Sequence, residues 1–550
     1  MGANQSLLDA VSERQLQREQ VVDELTKKLQ NVELEERTKW PDITSLPFRE
    51  LVAALQNGQY TAVEVLHAYQ WSALQAHRKT NCATQFLLEA EEWAQELDSK
   101  FGQKSSKPPL FGVPFSVKEQ LELKGYDFTF GFVHRINNPI SEQDAVGIEI
   151  LKTKGAVPFV RTNIPQGMIS YNCSNPIYGR TTHHLQERLS PGGSSGGEGA
   201  LLALGGAPFG LGTDGGGSIR LPSGFSGICG LKPTMSRLSQ EGVGCNLPGT
   251  VCIGLTYGPM AREVDGVRDI FEQLLDQTNT VRDPYVALHP FQRNLYESDR
   301  PLTIGYYETD GWFESVPAMR RAVQLAKEAL QAKGHTLVPW TPPEVERASQ
   351  LFLAAFMPDG GEFLLSWVSK DIPDELMKEP YLLYRIPIWI KRTVAFLVEP
   401  FFHRLAASAR AFKTSPSELR QVYADIADYR KSFVAEWKKN GFDCLLGPAF
   451  AHPAPTHQIA SECMLPISYT ALYNLLDFSA GIVPVTTVTE QDEEDCKNGY
   501  PTYDMFAKRV KKEFSAGTVG LPVGVQCIAL PNHEELCLRL MKLIESSIKS

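Results

Sequence analysis

PGGSSGGEGALLALGGAPFGLGTDGGGSIRLP, residues 191–222, is the stretch from which the fold and the chemistry are best read. It is neither a linker nor a low-complexity run, because Leu201, Leu202 and Leu204 interrupt the glycines at helical spacing. The pattern predicts a buried helix beginning near Gly196, with a tight Gly/Ser loop on each side. Glycines let a backbone approach a ligand closely and adopt positive φ without a Cβ clash. Consecutive N–H groups in such a loop can converge on one oxyanion. Ser218 follows Gly215, Gly216 and Gly217, so its hydroxyl is expected beside those donors. A hydroxyl there is a weak nucleophile until a base takes its proton.

The base is not obvious from the loop itself. The G-x-S-x-G elbow of α/β-hydrolases is absent around Ser218, and no histidine lies in the stretch. His183 and His184 read as a polar surface pair, and Glu198 as a first-turn carboxylate favoured by the helix dipole. A Ser–His–Asp triad stays open, because triads are recognised only in space. Lys118 offers an alternative. It stands at the end of LFGVPFSV, residues 110–117, which reads as a buried strand aimed at a cleft. Burial disfavours the ammonium, and a neutral amine serves as a general base. The bland alternative is a solvated lysine at a strand end.

Outward from this centre the pattern alternates. Strands are expected at residues 155–162, 302–307, 335–340, 443–446, 482–488 and 521–530. Helices are expected at 317–333 and 423–440, with a last one from Glu534. Strands alternating with helices mean an α/β sheet covered on both faces. Residues 6–37 read as a polar helix with a thin apolar stripe, ended by Pro41. The chain is therefore divided into an N-terminal helical segment, residues 1–40, and one large unit, residues 41–550. Within it, YLLYRIPIWIKRTVAFLVEPFFHRLAASARAFK, residues 381–413, splits at Pro387 and Pro400 into two short helices. Ile388, Trp389, Ile390, Val394, Leu397, Phe401, Phe402 and Leu405 are too apolar for a solvated loop. Arg385, Lys391, Arg392, Arg404, Arg410 and Lys413 supply a basic fringe. That combination suits an interfacial helix pair on a membrane surface; a buried helix pair or a dimer contact is the competing reading.

The 550 residues are 43% hydrophobic and 21% charged, ordinary for a globular chain. The net charge of −10 argues against nucleic acid as a partner. Ten scattered cysteines without a C-x-x-C pair suit neither a zinc site nor a disulfide framework and fit a reducing, intracellular setting. No secretory signal and no run of 18 apolar residues is present, so a spanning helix is not expected. Met1-Gly2 with Ser6 fits the N-myristoylation pattern.

The run Gly192-Gly193-Ser194-Ser195-Gly196-Gly197, Gly212-Thr213-Asp214, Gly216, Ser218-Ile219-Arg220 and Pro222, with Lys118 in GVPFSVKE upstream, resembles the amidase-signature family. Cys173-Ser174-Asn175-Pro176, Gly230-Leu231-Lys232-Pro233, Gly258-Pro259-Met260-Ala261-Arg262, Ala480–Thr489 and Val523-Gly524-Val525-Gln526-Cys527 are similar to its fatty acid amide hydrolase branch. The resemblance covers roughly residues 45–545. It implies an α/β fold with a large twisted mixed sheet under helices on both faces, and needs neither cofactor nor metal. It makes Ser218 the acylated nucleophile, Ser194 the bridging serine and Lys118 the base. The N–H groups of Gly215, Gly216, Gly217 and Ser218 would hold the oxyanion, and Met168 would line the acyl site.

By the same resemblance, the substrates are long-chain fatty acid amides, primary amides and ethanolamides, and also esters. The protein is expected to be a homodimer, with the helix pair at 381–413 facing the cytoplasmic side of an endomembrane. Two departures stand out. Residue 215 is commonly isoleucine in this family, and a third glycine is expected to loosen the loop. The N-terminal spanning helix of similar proteins has no counterpart here. An amidotransferase subunit, or a catalytically weak lipid-binding relative, are the alternative functions.

Overall fold

The computed structural model describes residues 2–286, 289–413, 415–462 and 465–548. Met1 lies outside the described residues, and with it the start of the acylation pattern. In chain order the strands are β1 Ala83–Phe86, β2 Pro114–Lys118, β3 Val157–Thr162, β4 Ser174–Asn175, β5 Gly179–Arg180, β6 Phe209–Asp214 and β7 Cys229–Lys232. There follow β8 Thr256–Ala261, β9 Thr303–Tyr306, β10 Thr336–Pro339, β11 Cys444–Pro448, β12 Ser479–Thr487 and β13 Pro522–Ala529. Among the described residues eleven of these form one sheet in the order β1-β3-β2-β6-β8-β7-β12-β13-β11-β9-β10, while β4 and β5 pair separately. The sheet is mixed. β2 is parallel to β3 and β6, β11 and β10 are parallel to β9, and the strands between run antiparallel. Every residue of β2, β3, β6, β7 and β8 is buried, which requires cover on both faces.

The Gly/Ser-rich stretch folds as loop, helix, strand, loop, helix. The helix is Gly196–Ala203, as its leucines predict, and Leu201 and Leu202 are fully buried. β6 then passes beneath it. The close approach explains two strand glycines. A Cβ on Gly210 would lie 2.0 Å from Glu198 Oε2, and one on Gly212 would lie 3.0 Å from Ser195 Oγ. Glycine at those positions is the condition for the helix to lie against the strand.

The N-terminal helix runs Gly2–Gln30, and a second helix follows at Leu34–Ser45. Pro41 lies inside that second helix rather than ending the first. Trp40 and Ile43 beside it are buried, so packing holds the helix across the missing hydrogen bond. Val22, Leu25 and Leu29 are the buried part of the expected stripe, whereas Leu8 is exposed. Arg14 docks the first helix: its guanidinium donates to Asp127 Oδ2 at 2.6 Å, Asn137 Oδ1 at 2.9 Å and Tyr178 at 3.2 Å. The expected helix at 423–440 starts at Pro416, two turns earlier. Ser415 accepts the Glu418 N–H as its cap, with proline in the first turn.

Candidate active site

Lys118 is the last residue of β2 and has no exposure to solvent. Its Nζ lies 2.7 Å from Ser194 Oγ and 2.6 Å from Thr213 Oγ1. Burial pulls its pKa down to about 7, the charges of Asp214 and Glu198 offsetting part of the effect. The solvated strand-end reading is therefore excluded. Thr213 donates its own proton to Gln120 Oε1 at 2.6 Å, and Gln120 is oriented by donating Nε2–H to the Gly244 carbonyl. Since Thr213 has spent its proton on Gln120, it accepts one from Lys118. In the neutral amine this leaves the Nζ lone pair for the Ser194 hydroxyl.

Ser194 and Ser218 both line one cavity, and Lys118 does not. The lysine reaches the cavity only through Ser194. The Gly193–Ser194 peptide is cis. The Ser195 N–H donates to the Ser218 carbonyl at 3.1 Å, which ties the two Gly/Ser loops together. The Ser194–Ser218 contact itself is not among the hydrogen bonds of the structure.

The loop around Ser218 is pinned, contrary to the expectation that Gly215 loosens it. Asp214 accepts the Gly217 N–H at 2.7 Å and the Ile219 N–H at 3.1 Å. Thr470 donates to the Gly216 carbonyl at 2.6 Å. Asp214 is fully buried with Arg220, which also donates to the Thr470 carbonyl and Gln526, while Asn474 donates to Asp214. Burial pushes the Asp214 carboxyl up, but Arg220 and Asn474 outweigh it and hold the group well below the carboxylate range. The Gly217 amide, one of the four expected oxyanion donors, is taken by Asp214 in this structure. No protein acceptor among the described residues takes the N–H of Gly215, Gly216 or Ser218, and these are the donors left.

Glu198 stands in the first turn of its helix, as expected. It is buried beneath its helix, accepting hydrogen bonds from Ser116 at 2.5 Å and Thr162 at 2.8 Å, and burial raises its pKa to about 7. His183 and His184 are buried rather than on the surface, with His183 Nε2 against the Phe225 carbonyl at 2.8 Å. Burial lowers both, to about 4 and about 3. No histidine among the described residues lines the cavity, which removes the Ser–His–Asp alternative.

The cavity measures about 630 Å³, within the range of small-molecule sites. Its walls include Leu255, Phe352, Phe356 and Met357, and Met168 lines it with φ of 54°. Three surface helices also line it, Lys378–Arg385 through Leu383 and Tyr384, Ile388–Val398 through Lys391, and His403–Ala411 through Leu405. The last two are the expected pair, with Pro387 before the first helix and Pro400 in the turn between them. Phe396, Phe401 and Trp389 are 77%, 76% and 69% exposed, an unusual density of bare aromatic surface. Ile388 and Ile390 are half-buried instead. The basic fringe is mostly spent: Arg392 pairs with Glu418, Arg404 with Asp504 and Arg410 with Glu399, while Lys391 sits 4.6 Å over the Phe412 ring. No helix among the described residues is long and apolar enough to cross a membrane.

The family model described as Amidase matches residues 64–538. Fatty acid amide hydrolase 1 of Caenorhabditis elegans is 43% identical over 518 residues, 93% of this chain and 90% of that protein. Fatty-acid amide hydrolase 1 of Sus scrofa is 42% identical over 522 residues, 94% of this chain and 88% of that protein. A solved structure of a fatty acid amide hydrolase matches with a TM-score of 0.81 at 25% identity, covering 99% of this chain and 95% of its own. A matched model over most of the length, and a site whose buried lysine meets the serine of the Gly/Ser loop, together show that the chain belongs to the amidase family and is an amide hydrolase.

Proposed function

We propose that the protein hydrolyses long-chain fatty acid amides, and the corresponding esters, through an acyl-enzyme on Ser218. The observation that carries this reading is the position of Lys118, buried behind Ser194 at the floor of an apolar cavity. Ser218 Oγ attacks the carbonyl carbon and gives its proton to Ser194 Oγ, whose own proton passes to the neutral Lys118 Nζ. The oxygen that becomes negative is held by the N–H groups of Gly215, Gly216 and Ser218. The Lys118 ammonium then returns a proton through Ser194 to the amine nitrogen, the C–N bond breaks and the amine leaves. Water attacks the Ser218 ester by the same relay in reverse order, releasing the fatty acid.

The apolar walls favour a long acyl chain over the polar acyl group an amidotransferase subunit would hold. The pinned loop favours catalysis over mere lipid binding. The exposed aromatic surface of helices that also line the cavity supports attachment to a membrane surface through residues 381–413, with substrate entering from the lipid. The test is a hydrolysis panel of long-chain primary amides, ethanolamides and esters, with Ser218→Ala as control. Turnover of long-chain amides, lost in Ser218→Ala, is the expected result. Turnover of short polar amides alone would refute the substrate assignment.

A further inference from the structure

Of the three glycines before Ser218, one is demanded, one is crowded and one is idle. Gly217 has φ of 131°, and a Cβ there would stand 2.4 Å from Thr470 Oγ1. A Cβ on Gly216 would press Phe352 Cζ at 3.2 Å. Gly215 is different. Its φ is not in the left-handed region, and a Cβ there would meet Leu255 Cδ1 at 3.5 Å and Phe356 Cε2 at 3.8 Å, ordinary van der Waals distances. The backbone would accept a side chain at 215, and none is present.

The space left open belongs to the cavity, since Gly215, Ser218, Leu255 and Phe356 all line it. It lies three residues from the nucleophile and its neighbours are apolar, so it suits hydrocarbon on the acyl side rather than a polar amine. It is not explained by a need for mobility, because Asp214, Thr470 and the Ser195 N–H hold residues 216–218 after it, and the pairing of β6 with β8 holds Asp214 before it. Given the reading of Ser218 as the acylated nucleophile, we infer that Gly215 sets acyl specificity, admitting amides that carry a branch next to the scissile carbonyl.

The experiment compares kcat/KM of the full-length protein for three long-chain primary amides: linear, methyl-branched at carbon 2, and methyl-branched at mid-chain. The unsubstituted protein is measured beside Gly215→Ala and Gly215→Ile. Any effect of the substitutions on chemistry common to all substrates cancels in the branched-to-linear ratio. A pocket that gains or loses a methyl's worth of room discriminates by about 10- to 200-fold. The expected result is a carbon-2-branched to linear ratio that falls at least about tenfold in Gly215→Ile, with the mid-chain ratio unmoved. Gly215→Ala, whose added carbon fits without displacement, shifts the carbon-2 ratio in the same direction even if the larger variant does not fold. A carbon-2 ratio unchanged in both variants, with linear amides still cleaved, overturns the inference and spares the acyl-enzyme. Failure of the unsubstituted protein to cleave any of the three overturns the parent reading and the inference together.

Discussion

Removing water from Lys118 is what turns a strong acid-binding group into a usable base. With its pKa near 7, the amine is largely neutral in mildly alkaline solution, whereas an exposed lysine stays charged to about 10.4. The active form is the deprotonated one, so kcat/KM is expected to rise with pH through about 7 and to fall below it as the ammonium forms. A rising limb only near pH 10 would contradict the buried base. Lys118→Ala is expected to slow amides far more than esters, because only the amine needs the relayed proton; an unchanged amide-to-ester ratio would remove the relay. Asp214 invites a separate test. Breaking a fully buried ion pair costs about 3–5 kcal/mol, and asparagine leaves one acceptor oxygen where the Gly217 and Ile219 amides and Arg220 now share two. Asp214→Asn is therefore expected to lower the denaturation midpoint and also kcat, and an unaltered midpoint would contradict the pair's structural role. Ser194, Ser218 and Lys118 were legible in the sequence, the lysine through its resemblance more than its spacing. The contacts of Thr213, Gln120 and Glu198 were not, because their partners stand about 80 to 120 residues away in the sequence.

At the scale of elements, the helix pair at 388–411 shows what periodicity reads well and where it stops. The two prolines and the apolar bulk announced two helices at the surface. Which side chains stay bare depended on what lies behind them: Phe396 is exposed and Ile390 is half-buried. The cations were misjudged for a related reason, since Glu418 and Asp504 come from outside the segment. Binding is consequently expected to rest on apolar insertion. Changing Trp389, Phe396, Leu397 and Phe401 to serine is expected to abolish sedimentation of the unacylated protein with liposomes, while raising salt weakens the parent protein only slightly. Equal sedimentation of a folded variant would reject the hairpin as the anchor. Steep salt dependence would restore the basic fringe. Helices at Phe48–Gln56 and Ala62–Thr80 escaped the reading although Thr61 and Glu64 form a capping box, a signal plainly present in the sequence.

Across the whole molecule, seven strands of the large sheet were read from the sequence, while β1 at one edge and β6, β7 and β8 beside the site were not. β6, β7 and β8 lie beside the site, yet Gly210, Gly212, Gly230 and Gly258 deprive them of the β-branched runs that identify strands. The reason is functional: a strand that passes under Glu198 and Ser195 has no room for side chains on that face. The same packing brings Ser194 from the first loop and Ser218 from the second to one cavity, with Lys118 from β2 buried behind Ser194. Whether that convergence performs nucleophilic catalysis is decided most directly by mass spectrometry of peptides after treatment with a fluorophosphonate. The account predicts one adduct, on the peptide carrying Ser218, absent in Ser218→Ala and formed slowly in Lys118→Ala. An adduct on any other serine, or labelling that survives in Ser218→Ala, would contradict it.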